Sequence, residues 1–182
     1  MLNQFVEALK KVGGQVAEVA TAREAAAYIA GLIKGTVLLP QQSSLERAGL
    51  AAALEAEGLT VIKDSWREHA PTAGAGVTGV NFALADTGSL VLDSTAEPLR
   101  LATTLPERHF ALLDPRKIVA DSLAAIPYLR GFHERTPRNY LAYITGPSRT
   151  ADIERVLTIG VHGPRELHVL LLPGLSDDFY EL

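Results

Sequence analysis

Apolar residues recur at helical spacing at the start of the chain. Leu2, Phe5 and Leu9 fall on one face of a predicted helix, which the glycines at 13 and 14 end. The run QVAEV follows and predicts a strand. The chain is therefore expected to open with a helix and a strand.

Two pairs of hydroxyl and acidic residues predict where the next helices begin. Thr21 and Glu24 have the spacing of a capping box, in which a hydroxyl and a carboxylate satisfy free N–H groups at the start of a helix. Ser43 and Glu46 repeat this spacing ahead of the segment LERAGLAAALEAE, for which one helix is predicted. Gly58 is the expected stop of that helix.

Short apolar runs alternate with these helices. After QVAEV, the predicted strands are TVLLP, LTVIKD, SLVLDS, HFALLD, NYLAYIT and LHVLLL. Parallel neighbouring strands require crossover connections, which the intervening helices provide. We therefore expect an α/β fold with a mostly parallel sheet and helices on both faces.

Two further helices and one loop are predicted in the second half of the chain. IVADSLAAIPYL has helical apolar spacing, and Pro127 is expected to kink or end this helix. TADIERVLTI predicts another helix. The charged, proline-containing segment from Arg130 to Arg138 is predicted to be a loop, too short to separate two domains. One domain spanning residues 1–182 is therefore expected.

Composition narrows the function classes. The 182 residues are 47% hydrophobic, which suits a well-packed core, and the formal net charge is −4. The basic residues are scattered, so we expect no binding to nucleic acid or to anionic membranes. No apolar run approaches the roughly 20 residues that span a bilayer, so we expect no membrane insertion and a cytoplasmic location. With no cysteine, the chain has no disulfide, no thiolate nucleophile and no cysteine-ligated iron–sulfur cluster of its own.

The first stretch that could carry chemistry is Gly76 to Ser94, GVTGVNFALADTGSLVLDS. Its glycines allow tight turns or close approach of a ligand, and Thr78, Thr87 and Ser89 add hydroxyls near them. Ligands in open α/β sheets bind at the carboxyl ends of strands, where such a loop is expected. In the simpler alternative, residues 86–88 form an ordinary turn with Gly88 in the left-handed conformation.

The second stretch is ITGPSRTADIERVL, from Ile144 to Leu157. The start of the predicted helix and the guanidinium of Arg149 could bind a small anion. Asp152 lies in the same predicted turn and opposes that charge. In the alternative, Ser148 or Thr150 caps the helix and Arg149 pairs with Asp152 or another acid.

The third stretch, GVHGPRELHVLLL, places His162 between glycines just before a predicted strand. This imidazole could serve a site, or it could hydrogen-bond the backbone and fix a loop. The five histidines have no paired metal-binding spacing such as HExxH, so no metal site is predicted. The chain also has no GxSxG, Walker or GxGxxG fingerprint.

Taken in order, these stretches and the segment LPERHFALL resemble the lactate-utilisation (LUD) domain family, and among its members the lactate utilisation protein C group. The resemblance covers roughly Gly76 to Leu172. It implies a fold similar to those of ribose-5-phosphate isomerase and the coenzyme A transferases. It also implies membership of a multi-protein system that oxidises L-lactate to pyruvate, in which partner proteins carry iron–sulfur clusters and this chain carries no cofactor. Asp86 stands where many relatives have glutamate, so no nucleophile is assigned and the catalytic residues stay open.

The sequence predicts one polar cleft to which the three stretches contribute. The candidate ligand-binding residues are Thr78, Asp86, Thr87, Gly88, Ser89, Ser148, Arg149, Asp152 and His162. The favoured function is a cluster-free subunit with a site for a small anion, because no motif in the chain binds a two-electron acceptor. The alternative is a stand-alone small-molecule enzyme of the same fold type.

Overall fold

The computed structural model describes residues 1–136, 138–150 and 158–181. The helices are α1 (Leu2–Lys11), α2 (Ala22–Leu32), α3 (Ser43–Arg47), α4 (Leu50–Ala56), α5 (Trp66–His69), α6 (Glu97–Thr104) and α7 (Ser122–Arg135). The strands are β1 (Gln15–Glu18), β2 (Thr36–Leu38), β3 (Thr60–Ile62), β4 (Ala75–Gly79), β5 (Phe82–Leu84), β6 (Ser89–Asp93), β7 (Arg108–Leu113), β8 (Ile118–Val119), β9 (Leu141–Ile144), β10 (Arg149–Thr150), β11 (Thr158–Ile159) and β12 (Glu166–Leu171).

The central feature is a six-stranded sheet in the order β1-β12-β7-β4-β2-β3. Every neighbouring pair in it is parallel. β7 and β12 lie inside the sheet and bury apolar residues on both faces, as expected for parallel strands. The α/β class and the parallel sheet predicted from the sequence are confirmed.

Helices cover one face of this sheet. Ile29 of α2 and Leu54 of α4 pack in one buried cluster with Val77, Phe110 and Leu170 from the strands. The opposite face is covered by α1, by α5 and α6, and by a second, four-stranded sheet in the order β8-β5-β6-β9. The second layer is thus part helix and part sheet, because SLVLDS and NYLAYIT pair antiparallel with each other as β6 and β9 instead of extending the large sheet.

One predicted helix is in fact two. Gly49 adopts the left-handed conformation with φ +70 and separates α3 from α4. Ser43 is the first residue of α3 and does not cap it, while Gln42 precedes the helix. The capping box predicted at Thr21 is confirmed, because the Thr21 hydroxyl accepts from the Glu24 N–H at 3.2 Å.

The helix predicted around Pro127 continues past the proline, so the loop expected between 130 and 138 is wrong over residues 130–135. Pro127 lies on the exposed side of α7, where water can satisfy the backbone carbonyl that the proline leaves free. On the buried side, Phe132 packs against Phe82 and holds the later turns in place. Burial on one side therefore outweighs the local cost of the proline.

The helix predicted over TADIERVLTI falls mainly on residues 151–157, which lie outside the described residues. Its described ends are not helical. Thr150 in β10 pairs antiparallel with Thr158 in β11, and Arg149 pairs with Ile159. The helix start that was expected to attract an anion next to Arg149 is therefore not formed at residues 149–150.

Candidate functional site

The first glycine-containing stretch forms a hairpin between β5 and β6. Gly88 has φ +67, and its N–H donates to the Leu84 carbonyl at 3.0 Å. A Cβ at Gly88 would lie 2.3 Å from the backbone nitrogen of Leu9, so α1 packs directly on this turn. Asp86 and Thr87 are exposed beside it. The simpler reading, a turn with Gly88 in the left-handed conformation, is therefore confirmed for the backbone.

A chain of hydroxyl groups joins this hairpin to the second stretch. The Thr87 and Ser89 oxygens are 2.8 Å apart, and the Ser89 and Thr145 oxygens are 2.7 Å apart. Ser89 is buried, so its hydroxyl is held between two partners. The first and second stretches thus meet, as the sequence predicted.

The second and third stretches also meet. The Ser148 N–H donates to the Pro164 carbonyl at 2.8 Å, and the Gly160 N–H donates to the Ser148 carbonyl at 2.9 Å. A Cβ at Gly163 would lie 2.9 Å from the Cβ of Ser148, so glycine permits the close approach. Ser148 is therefore enclosed by the loop that carries His162.

Arg149 has a partner that the sequence did not suggest. Its guanidinium donates to the carbonyl of Val12, the residue that ends α1. A cation at the carboxyl end of a helix complements the helix dipole. Asp152, the partner or opponent proposed from the sequence, lies outside the described residues.

These contacts lie near the amino edge of the large sheet, so the expected placement at the carboxyl ends of its strands is wrong. His162 is exposed and lines an open cavity of about 730 Å³ at the amino ends of β4, β7 and β12. The same cavity is lined by Glu107 and Arg165, whose charged groups are 3.4 Å apart. Open parallel α/β sheets usually bind ligands at the other edge, where the carboxyl ends of the strands lie.

Thr78 is separate from this group. It lies in the interior of β4, fully buried, and its hydroxyl is 2.8 Å from Nε2 of His109 on β7. Burial lowers the pKa of His109 to about 4, so its imidazole is neutral at pH 7. Nδ1 of His109 has no hydrogen-bond partner among the described residues.

His109→Gln is expected to change how stability depends on pH. The folded state disfavours protonated His109, whereas the imidazole of an unfolded chain titrates near 6.5. Between pH 6.5 and about 4 the unfolded state therefore binds the extra proton, and the free energy of unfolding of the wild type falls as the pH falls. The variant should lose up to roughly 1 kcal/mol per pH unit of this slope.

Urea unfolding at several pH values between 4 and 7 measures this slope. His133→Gln is the matched control, because His133 is exposed on α7 and should leave the slope unchanged. An unchanged slope in His109→Gln would show that the buried imidazole does not titrate as expected.

A second polar group, which the sequence reasoning missed, lies at the carboxyl edge of the sheet. The buried Gln42 side chain accepts from the Gly79 N–H at 2.7 Å and lies 3.4 Å from the Gly79 carbonyl, at the end of β4. The side chain of Asn81, also buried, donates to the Phe179 carbonyl at 3.0 Å and accepts from the Asp93 N–H at 2.7 Å. We call the residues assembled here the carboxyl-edge network; its members are Gln42, Arg47, Asn81, Asp114, Arg116, Lys117, Ser176 and Glu181.

Asp114 is the anionic centre of the network. Its fully buried carboxylate accepts from the Arg116 guanidinium at 2.9 and 3.1 Å and from the N–H groups of Gly174 and Ser176 at 2.9 and 3.3 Å. Burial alone would raise the pKa of Asp114, but the hydrogen bonds and charge of Arg116 outweigh it and hold the pKa below its usual value. Asp114 thereby fixes the segment that follows β12.

Lys117 and Glu181 complete the network. The Lys117 amine, buried with 3% exposure, donates to the carbonyls of Asp178 and Glu181 at 3.0 and 3.2 Å. Burial lowers the pKa of Lys117 to about 8, against the nearby negative charges. Glu181 in turn pairs with Arg47 of α3. Both charge signs therefore meet where parallel α/β sheets ordinarily bind ligands.

A signal for this network is present in the sequence. Asn81 and Asp114 come just after β4 and β7, and Gln42 follows the apolar run of β2. Polar residues that directly follow parallel strands gather at one edge of the sheet. The contribution of residues 173–181 had no such signal, because it depends on how this segment returns across the edge.

The described part of the chain was searched for a metal site and for a membrane-spanning helix. Over residues 1–136, 138–150 and 158–181, no group of three or more His, Asp or Glu side chains is placed to hold a metal ion. Within these same ranges, no helix is both long enough and apolar enough to cross a bilayer.

Comparison with known proteins decides the family. The LUD domain profile matches residues 2–172, which is nearly the whole chain. The chain belongs to the LUD domain family. The resemblance seen in the sequence is thereby confirmed, and it extends to the first helix and strand as well.

Two relatives of this LUD domain chain illustrate the range of the family. It is 32% identical over 150 residues to lactate utilization protein C of Bacillus subtilis, an alignment that covers 76% of this chain and 62% of that protein. It is 30% identical over 133 residues to an uncharacterized electron transport protein of Escherichia coli, covering 70% of this chain and 26% of that protein. The chain thus spans about three-fifths of the length of lactate utilization protein C.

A solved structure confirms the fold of the LUD domain chain. A DUF162 family protein from Deinococcus radiodurans superimposes with a TM-score of 0.65 and covers 94% of this chain and 95% of that one. The two sequences are 21% identical, so the likeness concerns the fold alone.

Proposed function

We propose that this chain is the cluster-free subunit of a multi-protein system that oxidises L-lactate to pyruvate. The observation that carries the proposal is the LUD family match over residues 2–172, together with a relative named lactate utilization protein C. Oxidation of lactate releases two electrons, which require an acceptor. The chain has no cysteine, so iron–sulfur clusters that accept these electrons would belong to partner proteins.

A further observation supports a role within an assembly. One relative carries the name of an electron transport protein, and this chain aligns with 26% of its length. That is the relation expected if LUD domains work beside electron-carrying modules, either in one polypeptide or in separate ones. The chain would then supply substrate binding or a partner surface in the cytoplasm, while the electrons pass elsewhere.

Growth and affinity purification test this role. Deletion of the gene is expected to impair growth on L-lactate and to leave growth on pyruvate intact, because pyruvate enters after the oxidation. A tagged chromosomal copy, purified from cells grown on L-lactate, is expected to bring with it a cysteine-rich protein with iron–sulfur absorbance. Normal growth on L-lactate, or recovery of the tagged chain alone, would contradict the proposal.

A small anion bound at the amino-edge turns remains part of the proposal. The candidate residues there are Asp86, Thr87, Gly88, Ser89, Ser148, Arg149 and His162, while Asp152 lies outside the described residues. The contacts of Ser89 with Thr145, and of Ser148 with the His162 loop, support a shared site. The exposed guanidinium of Arg149 is the group best suited to an anion.

Arg149→Ala is expected to lower L-lactate-dependent dye reduction by the reconstituted system about tenfold or more, if a charge-assisted hydrogen bond to the anion is lost. The fold should change little, since an exposed cation at a helix end contributes only about 0.3–1 kcal/mol. Arg23→Ala, at an exposed position on α2, is the matched control. Equal activity of the two variants would remove Arg149 from the site.

A stand-alone enzyme of this fold type is the second candidate. The observation that favours it is the buried amine of Lys117 at the carboxyl edge, with its pKa lowered to about 8. Perturbed ionisable groups of this kind gather at catalytic sites. Turnover of a small carboxylate by the purified chain alone, without partners, would favour this candidate over the subunit role.

A further inference from the structure

The carboxyl edge already holds a carboxylate, and that carboxylate belongs to the chain itself. The Glu181 side chain accepts hydrogen bonds from both terminal nitrogens of the Arg47 guanidinium, one of them at 2.7 Å. It also accepts from the Ser176 hydroxyl at 2.5 Å. A guanidinium that donates two hydrogen bonds to one carboxylate, with a hydroxyl beside it, could bind the carboxylate of a free ligand in the same bidentate way.

The contacts keep this internal carboxylate ionised. The hydrogen bonds from Arg47 and Ser176 lower the pKa of Glu181 to about 2. The carboxylate therefore stays charged at any pH at which the protein works. A ligand that replaced it would need a permanent negative charge of the same shape.

Lys117 adds a cation whose hydrogen bonds go to uncharged atoms. Its buried amine donates to the main-chain carbonyls of Asp178 and Glu181, both in the segment 173–181 that follows β12. Buried ammonium groups ordinarily gain from an anionic hydrogen-bond acceptor, because burial otherwise penalises the charge. A bound anion could supply this acceptor if the segment moved aside.

We propose that Arg47, Ser176 and Lys117 form a binding site for a small organic carboxylate, and that Glu181 occupies the site until the ligand displaces it. A cavity of about 280 Å³ adjoins Arg47 and is lined also by Thr21, Ser44 and Gly174, which gives a ligand a path to the guanidinium. Its volume is below the roughly 300–1,000 Å³ typical of pockets for drug-sized ligands, so it suits a small one.

The segment can release Glu181 without leaving the protein. The Phe179 ring stacks on Tyr128 with centroids 3.9 Å apart, and Tyr180 packs against Phe132 with centroids 4.9 Å apart. Asp114 binds the start of the same segment through Gly174 and Ser176. These anchors all precede Glu181 along the chain and leave its own side chain free to move, so the movement stays local and Glu181 stays close enough to return.

Internal occupancy predicts weak ligand binding in the wild type, because only the fraction of molecules with Glu181 released can bind. Glu181→Ala should therefore bind L-lactate about tenfold more tightly or better, measured by titration calorimetry on the isolated chain. L-Lactamide, which has the same shape without the charge, should bind neither protein. Adding Arg47→Gln to Glu181→Ala should abolish the gain, and Glu7→Gln, at an exposed position on α1, should leave wild-type affinity unchanged.

A second measurement does not depend on a variant. Saturating L-lactate should speed hydrogen exchange of the Asp178 and Glu181 amides in the wild type and leave exchange in β7 unchanged. The inference is overturned if Glu181→Ala binds L-lactate no better than the wild type, if Arg47→Gln leaves the affinity of the Glu181→Ala protein intact, or if L-lactate binds without altering exchange in the segment.

This inference adds a second site, at the edge of the sheet opposite Arg149, and it rests on the proposed function only for the choice of L-lactate as probe. The titrations use the isolated chain, and the growth and purification experiments use whole cells. Failure of carboxylate binding would therefore leave the subunit role standing, while failure of partner capture would leave the site standing.

Discussion

Asp114→Ala is expected to destabilise the protein by about 3–4 kcal/mol, because it removes one partner of a buried ion pair. The buried carboxylate binds the Arg116 guanidinium and three backbone N–H groups, those of Arg116, Gly174 and Ser176, and alanine would remove this acceptor from all of them. Chemical denaturation at pH 7 measures the loss as a shift of the midpoint at constant slope.

The control for this substitution is Asp177→Ala. Asp177 also pairs with Arg116, at 3.0 Å, but its side chain is 74% exposed. Exposed ion pairs contribute about 0–1 kcal/mol, so the control should stay close to the wild type. Equal destabilisation by the two substitutions would mean that the buried hydrogen bonds of Asp114 are not the cause.

Gly76→Ala is expected to destabilise the protein by about 3 kcal/mol or more. A Cβ at this position in β4 would lie 1.8 Å from the backbone carbonyl oxygen of Ala102, so α6 would have to move away from the sheet. Backbone on both sides of the contact leaves no flexible side chain that could adjust. Thermal unfolding should show the loss, and tryptophan fluorescence should report loosening, because Trp66 packs in the same cluster as Ala102.

Gly31→Ala tests whether the methyl group itself or its surroundings matter. Gly31 lies in α2 and does not have a positive φ, and an added Cβ would have no atom within 4 Å beyond its chain neighbours and the backbone of its own helix. Alanine favours a helix over glycine, so this control should stabilise the protein by about 0.5–1 kcal/mol. Destabilisation of both proteins to a similar degree would contradict the clash at Gly76.

Five of the six strands of the large sheet could be predicted from the sequence, because each is a short apolar run between recognisable helix signals. β7 and β12 show this directly, since burial on both faces makes them apolar almost throughout. The sixth, β4, was not predicted as a strand, because its sequence AGVTG carries two glycines and a threonine. The small sheet could not be predicted, because β6 and β9 pair across 47 or more intervening residues. Nothing local distinguishes such a partner from a further parallel strand.

Pro127 and Gly49 show the same limit in helices. Pro127 suggested a helix end, yet packing of Phe132 carries α7 onward. Gly49 lay in a segment predicted as one helix and proved to be a break. At Pro127, tertiary packing outweighs the low helix propensity of proline, and at Gly49 the low helix propensity of glycine ends the helix after all. Tertiary packing decides between local alternatives of nearly equal free energy.

The candidate residues were predictable where turn chemistry dominates. Gly88, Ser89 and Ser148 occupy turns that meet, because each lies close to an end of an element at the same edge of the sheet. The guanidinium of Arg149, for which an acid or an anion was predicted as partner, also donates to the Val12 carbonyl at the end of α1, a contact across 137 residues that the sequence did not suggest. The carboxyl-edge network depends on the return of residues 173–181, which no local pattern encodes.

The order of strands in the large sheet has a consequence for synthesis on the ribosome. Among the described residues β1 pairs only with β12, so the first strand to emerge cannot join the sheet until Glu166–Leu171 has been synthesised. Until then β7, six residues long and mostly apolar, pairs with β4 along one edge only. Its other edge, which β12 later occupies, stays unpaired. Nascent chains that stall before Glu166 therefore present an open apolar edge to other chains, and the last strand protects the protein against aggregation by filling that gap.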